Sequence, residues 1–230
     1  MTALSNGAEA WLARPPGAPG TGVVVLMEVF GLTPWLRSVC ERFARAGYLA
    51  LAPDLYHGDR FDYADRDAAR ARARLLDDDA AMTDVGASID ALASEGARDD
   101  GIAVIGFCMG GRLAFLANAT LGHRLAASLS FYGGGIAPST PGARRPLVDR
   151  VPDIVAPQLL IYGAKDASIA ADEHGRIAQA LTAANRRYTL AVIPDAGHGF
   201  AAEDRDTYAA DPAAAAWRIA FAFLVDALMH

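Results

Sequence analysis

Short apolar runs alternate with longer amphipathic stretches along this chain, and that alternation restricts it to a small set of folds. Gly22–Met27 reads GVVVLM, a continuous β-branched run of the kind buried on both faces of a sheet. Tyr48–Ala52, Ile102–Ile105, Ala127–Phe131, Gln158–Tyr162 and Tyr188–Ile193 repeat the pattern, and Ala8–Ala13 is a weaker candidate strand. Between them, Pro34–Ala46 sets Leu36, Val39, Cys40 and Phe43 on one helical stripe. Thr33 and Pro34 supply its cap and first-turn proline, and Gly47 its stop. Further helices are predicted over Ala64–Leu76, Ala80–Ser94, Gly110–Thr120, Ala170–Ala184 and Pro212–Leu228. The pattern predicts an α/β fold, a mostly parallel central sheet with helices on both faces. Ligands of such sheets sit beyond the carboxyl ends of the strands.

Nothing along the chain reads as a linker, so residues 1–230 are expected to form a single domain. The Pro/Gly-rich stretch Gly133–Pro146 reads as one long excursion after a strand, and its closure over a site is left open. An apolar fraction of 53% with 21% charged residues excludes wholesale disorder. The net charge of −6 argues against general affinity for nucleic acid or anionic membrane, yet leaves room for an anionic substrate. Cys40 and Cys108 are too few for a disulfide scaffold and have no metal-ligand spacing. Met1–Trp11 lacks the basic-then-apolar pattern of a signal peptide, and no apolar run reaches membrane-spanning length. The expected compartment is the cytoplasm.

Chemistry is concentrated in Gly106-Phe107-Cys108-Met109-Gly110-Gly111, between the strand at Ile102–Ile105 and a helix. Gly-x-nucleophile-x-Gly in a strand–turn–helix context is a nucleophile elbow, with cysteine in the reactive position. A helix N-terminus behind Cys108 favours its thiolate. A lone cysteine is usually a buried apolar side chain, but this setting favours the reactive reading. Asp166 follows the strand Gln158–Tyr162 and His198 follows Tyr188–Ile193, so nucleophile, acid and histidine occur in α/β-hydrolase order on one rim. Asp166 could instead cap a helix near Ile169, and His198 could be a solvated loop residue. Taken together, they point to a Cys-His-Asp triad. The amide of Met109 is one oxyanion donor by elbow geometry. Glu28 ends an apolar strand, where an unpaired carboxylate is costly and needs a partner, such as a nearby arginine. Phe30, Trp35, Tyr56 and Tyr132 are candidates either for a substrate cleft or for the core.

At these residues the chain resembles the dienelactone hydrolase family. The resemblance runs from Val23 to the C-terminal helix and rests on MEVFG (Met27–Gly31), APDLY (Ala52–Tyr56), GFCMGG (Gly106–Gly111), YGAKD (Tyr162–Asp166) and AGHGF (Ala196–Phe200). It implies an α/β-hydrolase fold and catalysis by Cys108, His198 and Asp166. It further implies a Glu28 that hydrogen-bonds the resting thiol and moves when substrate enters, and a second oxyanion donor in the amide of Val29. Family enzymes acting on dienelactones carry a carboxylate-binding arginine four residues after the histidine, where this chain has Ala202. Arg205 is the nearby substitute, and a second such arginine would come from Arg66, Arg70, Arg72 or Arg74.

The combined expectation is a hydrolase of small esters or enol-lactones that works without metal or organic cofactor, as a monomer or small homo-oligomer. Its rivals are an acyltransferase or thioesterase on the same triad, and a non-catalytic binding module on the same fold.

Overall fold

A computed structural model describes residues 1–138 and 145–228. In chain order they form β1 (Thr2–Ala3), β2 (Glu9–Ala13), β3 (Gly22–Leu26), α1 (Pro34–Arg45), β4 (Leu49–Pro53), α2 (Arg66–Arg74) and α3 (Asp78–Ser94). Then come β5 (Ile102–Phe107), α4 (Met109–Leu121), β6 (Ala127–Phe131), β7 (Gln158–Gly163), α5 (Ala171–Ala183), β8 (Tyr188–Ile193) and α6 (Ala210–Leu228). The strands make one sheet in the order β1-β2-β4-β3-β5-β6-β7-β8. β2 pairs antiparallel with β1 and β4, and every other pairing is parallel. This is the mostly parallel α/β sheet that the alternation predicted, and it fits the α/β-hydrolase fold that the resemblance implied.

Strand parity places the helices. In β6, Ser128 Oγ donates to the Ala114 carbonyl of α4, while Phe131, an odd number of residues on, meets Trp217 of α6. Side chains at odd separation point to opposite faces, so α4 and α6 cover the two sides of the sheet. α3 packs beside α4, and α1 meets α6 where Phe43 touches Trp217 and Phe221. The α1 start is as expected, with Thr33 accepting a hydrogen bond from the Leu36 amide ahead of Pro34.

The differences from expectation have local causes. β5 runs on to Phe107, because pairing with β6 continues to Phe131. β8 is no doubly buried strand: it lies at the sheet edge, and its Thr189 and Val192 are exposed. α2 is shorter at both ends than the predicted Ala64–Leu76. The middle of the Gly133–Pro146 stretch, residues 139–144, lies outside the described residues. No described helix is long and apolar enough to cross a membrane.

Candidate active site

The carboxyl ends of β3, β5, β7 and β8 deliver Glu28, Cys108, Asp166 and His198 to one rim. Cys108 sits at φ 53°, ψ −116°, a conformation rare for a residue with a side chain. The turn closes so tightly that a Cβ on Gly106 would lie 1.9 Å from the Gly110 carbonyl oxygen. One on Gly110 would lie 2.3 Å from the Leu26 carbonyl oxygen. Both flanking glycines are therefore required for steric reasons.

A line of hydrogen bonds runs away from the sulfur. Cys108 Sγ is 3.1 Å from His198 Nε2, and His198 Nδ1 is 2.8 Å from Asp166 Oδ2. The other Asp166 oxygen accepts from the Ser168 amide at 2.7 Å. Asp166 thus braces its own turn rather than capping a helix; α5 starts later, behind Ala170. Burial works against an imidazolium at His198, but a thiolate at Cys108 and the Asp166 hydrogen bond outweigh it and push its pKa up to about 10.

Glu28 is 3% exposed. Its Oε1 accepts from Arg205 Nη1 at 2.9 Å, while Oε2 is buried without a partner. Burial pushes its carboxyl above the usual range, and Arg205 pulls it back only in part. The expected Glu28–thiol hydrogen bond is not the contact seen: the sulfur is held by His198, and Glu28 by Arg205.

A cavity of about 580 Å³ opens over Cys108 and His198. Val29 and Met109 both line it, and neither backbone amide donates to another described backbone group. Of the four candidate aromatics, Phe30 alone belongs to the wall. Trp35, Tyr56 and Tyr132 are corrected to core. Trp35 packs edge-on against Phe107 and donates its indole N–H to Glu203. Tyr56 rests its hydroxyl on the Met109 thioether. Tyr132 sets its ring edge against His198 and Phe200. All three are buried, as large aromatic rings commonly are in a core.

The cavity wall is cationic. Arg66, Arg70, Arg74, Arg112, Lys165 and Arg205 line it, with no aspartate or glutamate among the lining residues. Arg72, the remaining α2 candidate, turns away to Asp59 and the Tyr56 carbonyl. Arg112 was not singled out in the sequence. It forks onto Asp78 and reaches the Arg145 carbonyl, from one turn behind the elbow. The only sequence signal for it was its place directly after Gly111. Among the described residues no group of three or more His, Cys, Asp or Glu is placed to hold a metal.

Comparison with known proteins agrees with this architecture. The model of the "Dienelactone hydrolase family" matches residues 8–228. The chain is 36% identical over 219 residues to a protein of Escherichia coli (strain K12) named "Putative carboxymethylenebutenolidase", covering 91% of this chain and 79% of that one. A protein of the same name from Yersinia pestis is 34% identical over 214 residues, covering 91% and 80%. The crystal structure titled a "Putative Dienelactone Hydrolase" from Klebsiella pneumoniae superposes with a TM-score of 0.87 at 34% identity, covering 95% of this chain and 92% of that one.

Proposed function

Because this chain belongs to the dienelactone hydrolase family, we propose that it hydrolyses small carboxylic esters or enol-lactones through a thioacyl-enzyme on Cys108. The observation that carries the proposal is the continuous Asp166–His198–Cys108 hydrogen-bonded line ending at the cavity floor. The cavity volume lies within the usual range for small-molecule sites. The name of the E. coli and Y. pestis relatives, carboxymethylenebutenolidase, is that of a lactone-opening activity and agrees in kind.

In the proposed cycle the Cys108 thiolate attacks the ester carbonyl carbon, forming the C–S bond. The amides of Met109 and Val29 hold the oxyanion. Collapse breaks the C–O bond, and the His198 imidazolium gives its proton to the departing oxygen. In a lactone that oxygen stays tethered to the acyl group. Neutral His198 then takes a proton from water, the hydroxide attacks the thioester, and the thiolate leaves with the acid released. Asp166 keeps the imidazole tautomer and orientation throughout.

Wild type and Cys108→Ala compared on phenyl acetate and a neutral lactone test the reading. The variant is expected to keep the fold and lose ~10³-fold or more in rate. Undiminished turnover would rule out Cys108 as the nucleophile.

A further inference from the structure

The six cationic side chains around the cavity divide into two groups. Arg112 is bound to Asp78, Lys165 to Asp195 and Arg205 to Glu28. Arg66, Arg70 and Arg74 have no carboxylate partner among the described residues. These three are four residues apart on α2, so they share one helix face at roughly 6 Å steps. All three are exposed, and their like charges repel one another along the row. In a chain of net charge −6, with acids available nearby at Asp65 and Asp67, the row is left facing the cavity unneutralised.

The row exceeds what one carboxylate needs, since a single guanidinium can already hold a carboxylate in two hydrogen bonds. The cavity is also larger than a bare acetyl ester or a small lactone would fill. We propose that the substrate carries, distal to the scissile carbonyl, a multiply charged oxyanion that Arg66, Arg70 and Arg74 hold at the cavity mouth. This rests on the hydrolase reading, and it names the class of substrate that the reading leaves open. An ester bearing a phosphate fits the row better than one bearing a single carboxylate, because its oxygens and second charge engage two adjacent guanidiniums.

Three acetyl esters with a common aryl core test it: phenyl acetate, para-acetoxybenzoate and para-acetoxyphenyl phosphate, neutral, singly and doubly charged. The triple variant Arg66→Gln/Arg70→Gln/Arg74→Gln is compared with wild type. So is the control triple Arg45→Gln/Arg187→Gln/Arg218→Gln, which removes the same charge from exposed sites outside the cavity. The ratio of kcat/KM for the phosphate ester to that for phenyl acetate is expected to fall about tenfold or more in the α2 triple, chiefly through KM. In the control triple the ratio is expected to hold. Equal ratios in all three proteins, or equal losses in both triples, would overturn the proposal. Equal losses for the carboxylate and phosphate esters would overturn its multiply charged part. If wild type hydrolyses none of the three, the hydrolase reading fails on its own account. Calorimetric titration with phenyl phosphate at low salt then decides the site. Binding by wild type that the α2 triple loses upholds it, and no binding by wild type overturns it.

Discussion

At the scale of single residues, His198 and Glu28 are each governed by one neighbour. The Cys108 thiolate is foremost among the influences raising the His198 pKa, ahead of the Asp166 hydrogen bond, and both act against burial. Cys108→Ala removes that charge and leaves burial in place. The imidazole of the variant is expected to lose its proton at lower pH than in wild type, where it holds it to about pH 10. Imidazole nitrogen NMR across a pH series reads the difference, and an unchanged midpoint would deny the thiolate–imidazolium pair. Glu28 presents the opposite case, a buried carboxylate bound to the Arg205 guanidinium, with His198 a lesser positive influence. Arg205→Met strands it, at a cost of about 3 kcal/mol at neutral pH. A carboxyl whose folded pKa is raised favours the folded state below its unfolded pKa, and that contribution is lost as pH rises. The penalty should therefore shrink toward pH 4 and grow above it, as read from urea unfolding at several pH values. Adding Glu28→Gln should remove most of the pH dependence, and a penalty flat in pH would refute this account.

At the scale of elements, the β5–α4 elbow shows how much a local pattern can reveal. Gly-x-Cys-x-Gly after an apolar run specified both the turn and the steric need for glycine, and the backbone bears this out at Cys108. Gly110→Ala would drive a methyl into the Leu26 carbonyl. The expected loss is about 3 kcal/mol or more in unfolding free energy, with a sharp drop in activity because Cys108 rides on the same turn. A fully stable Gly110→Ala would mean that the elbow can relax. Other features were less legible for identifiable reasons. An apolar run does not say whether its strand is central or at an edge, so Tyr188–Ile193 looked doubly buried when both faces of β8 are partly open, at Thr189 and at Val192. An aromatic near a site has the same composition whether it faces substrate or supports the wall, which is why Phe30 and Tyr132 looked equivalent. The partner of Glu28 depends on a contact between residues 177 apart, and spacing within one loop does not encode it.

At the scale of the whole molecule, the site holds together because the segment after β8 crosses back over the sheet. That segment carries His198 to Cys108 at the end of β5 and Arg205 to Glu28 at the end of β3. Between them Glu203 clamps it to α1, accepting from the Trp35 indole and from the Arg42 guanidinium. Arg42 in turn lies over Trp217 of α6, so the clamp joins the segment to both helices on that face. Glu203 is about one-third exposed, so its ion pair alone contributes little, and the hydrogen bond to the buried indole supplies more. Glu203→Ala is expected to cost about 1–2 kcal/mol of stability. Its larger effect should fall on kcat, because His198 and Arg205 flank the released stretch and a loosened histidine leaves line with the sulfur. Glu203→Gln keeps an acceptor for Trp35 and should recover most of the rate without the charge. Paired measurements of unfolding and steady-state kinetics separate the two roles. Loss of stability with kcat intact would make the clamp structural only, whereas loss of kcat beyond the stability change, recovered by glutamine, would make Glu203 a positioning residue for the whole segment.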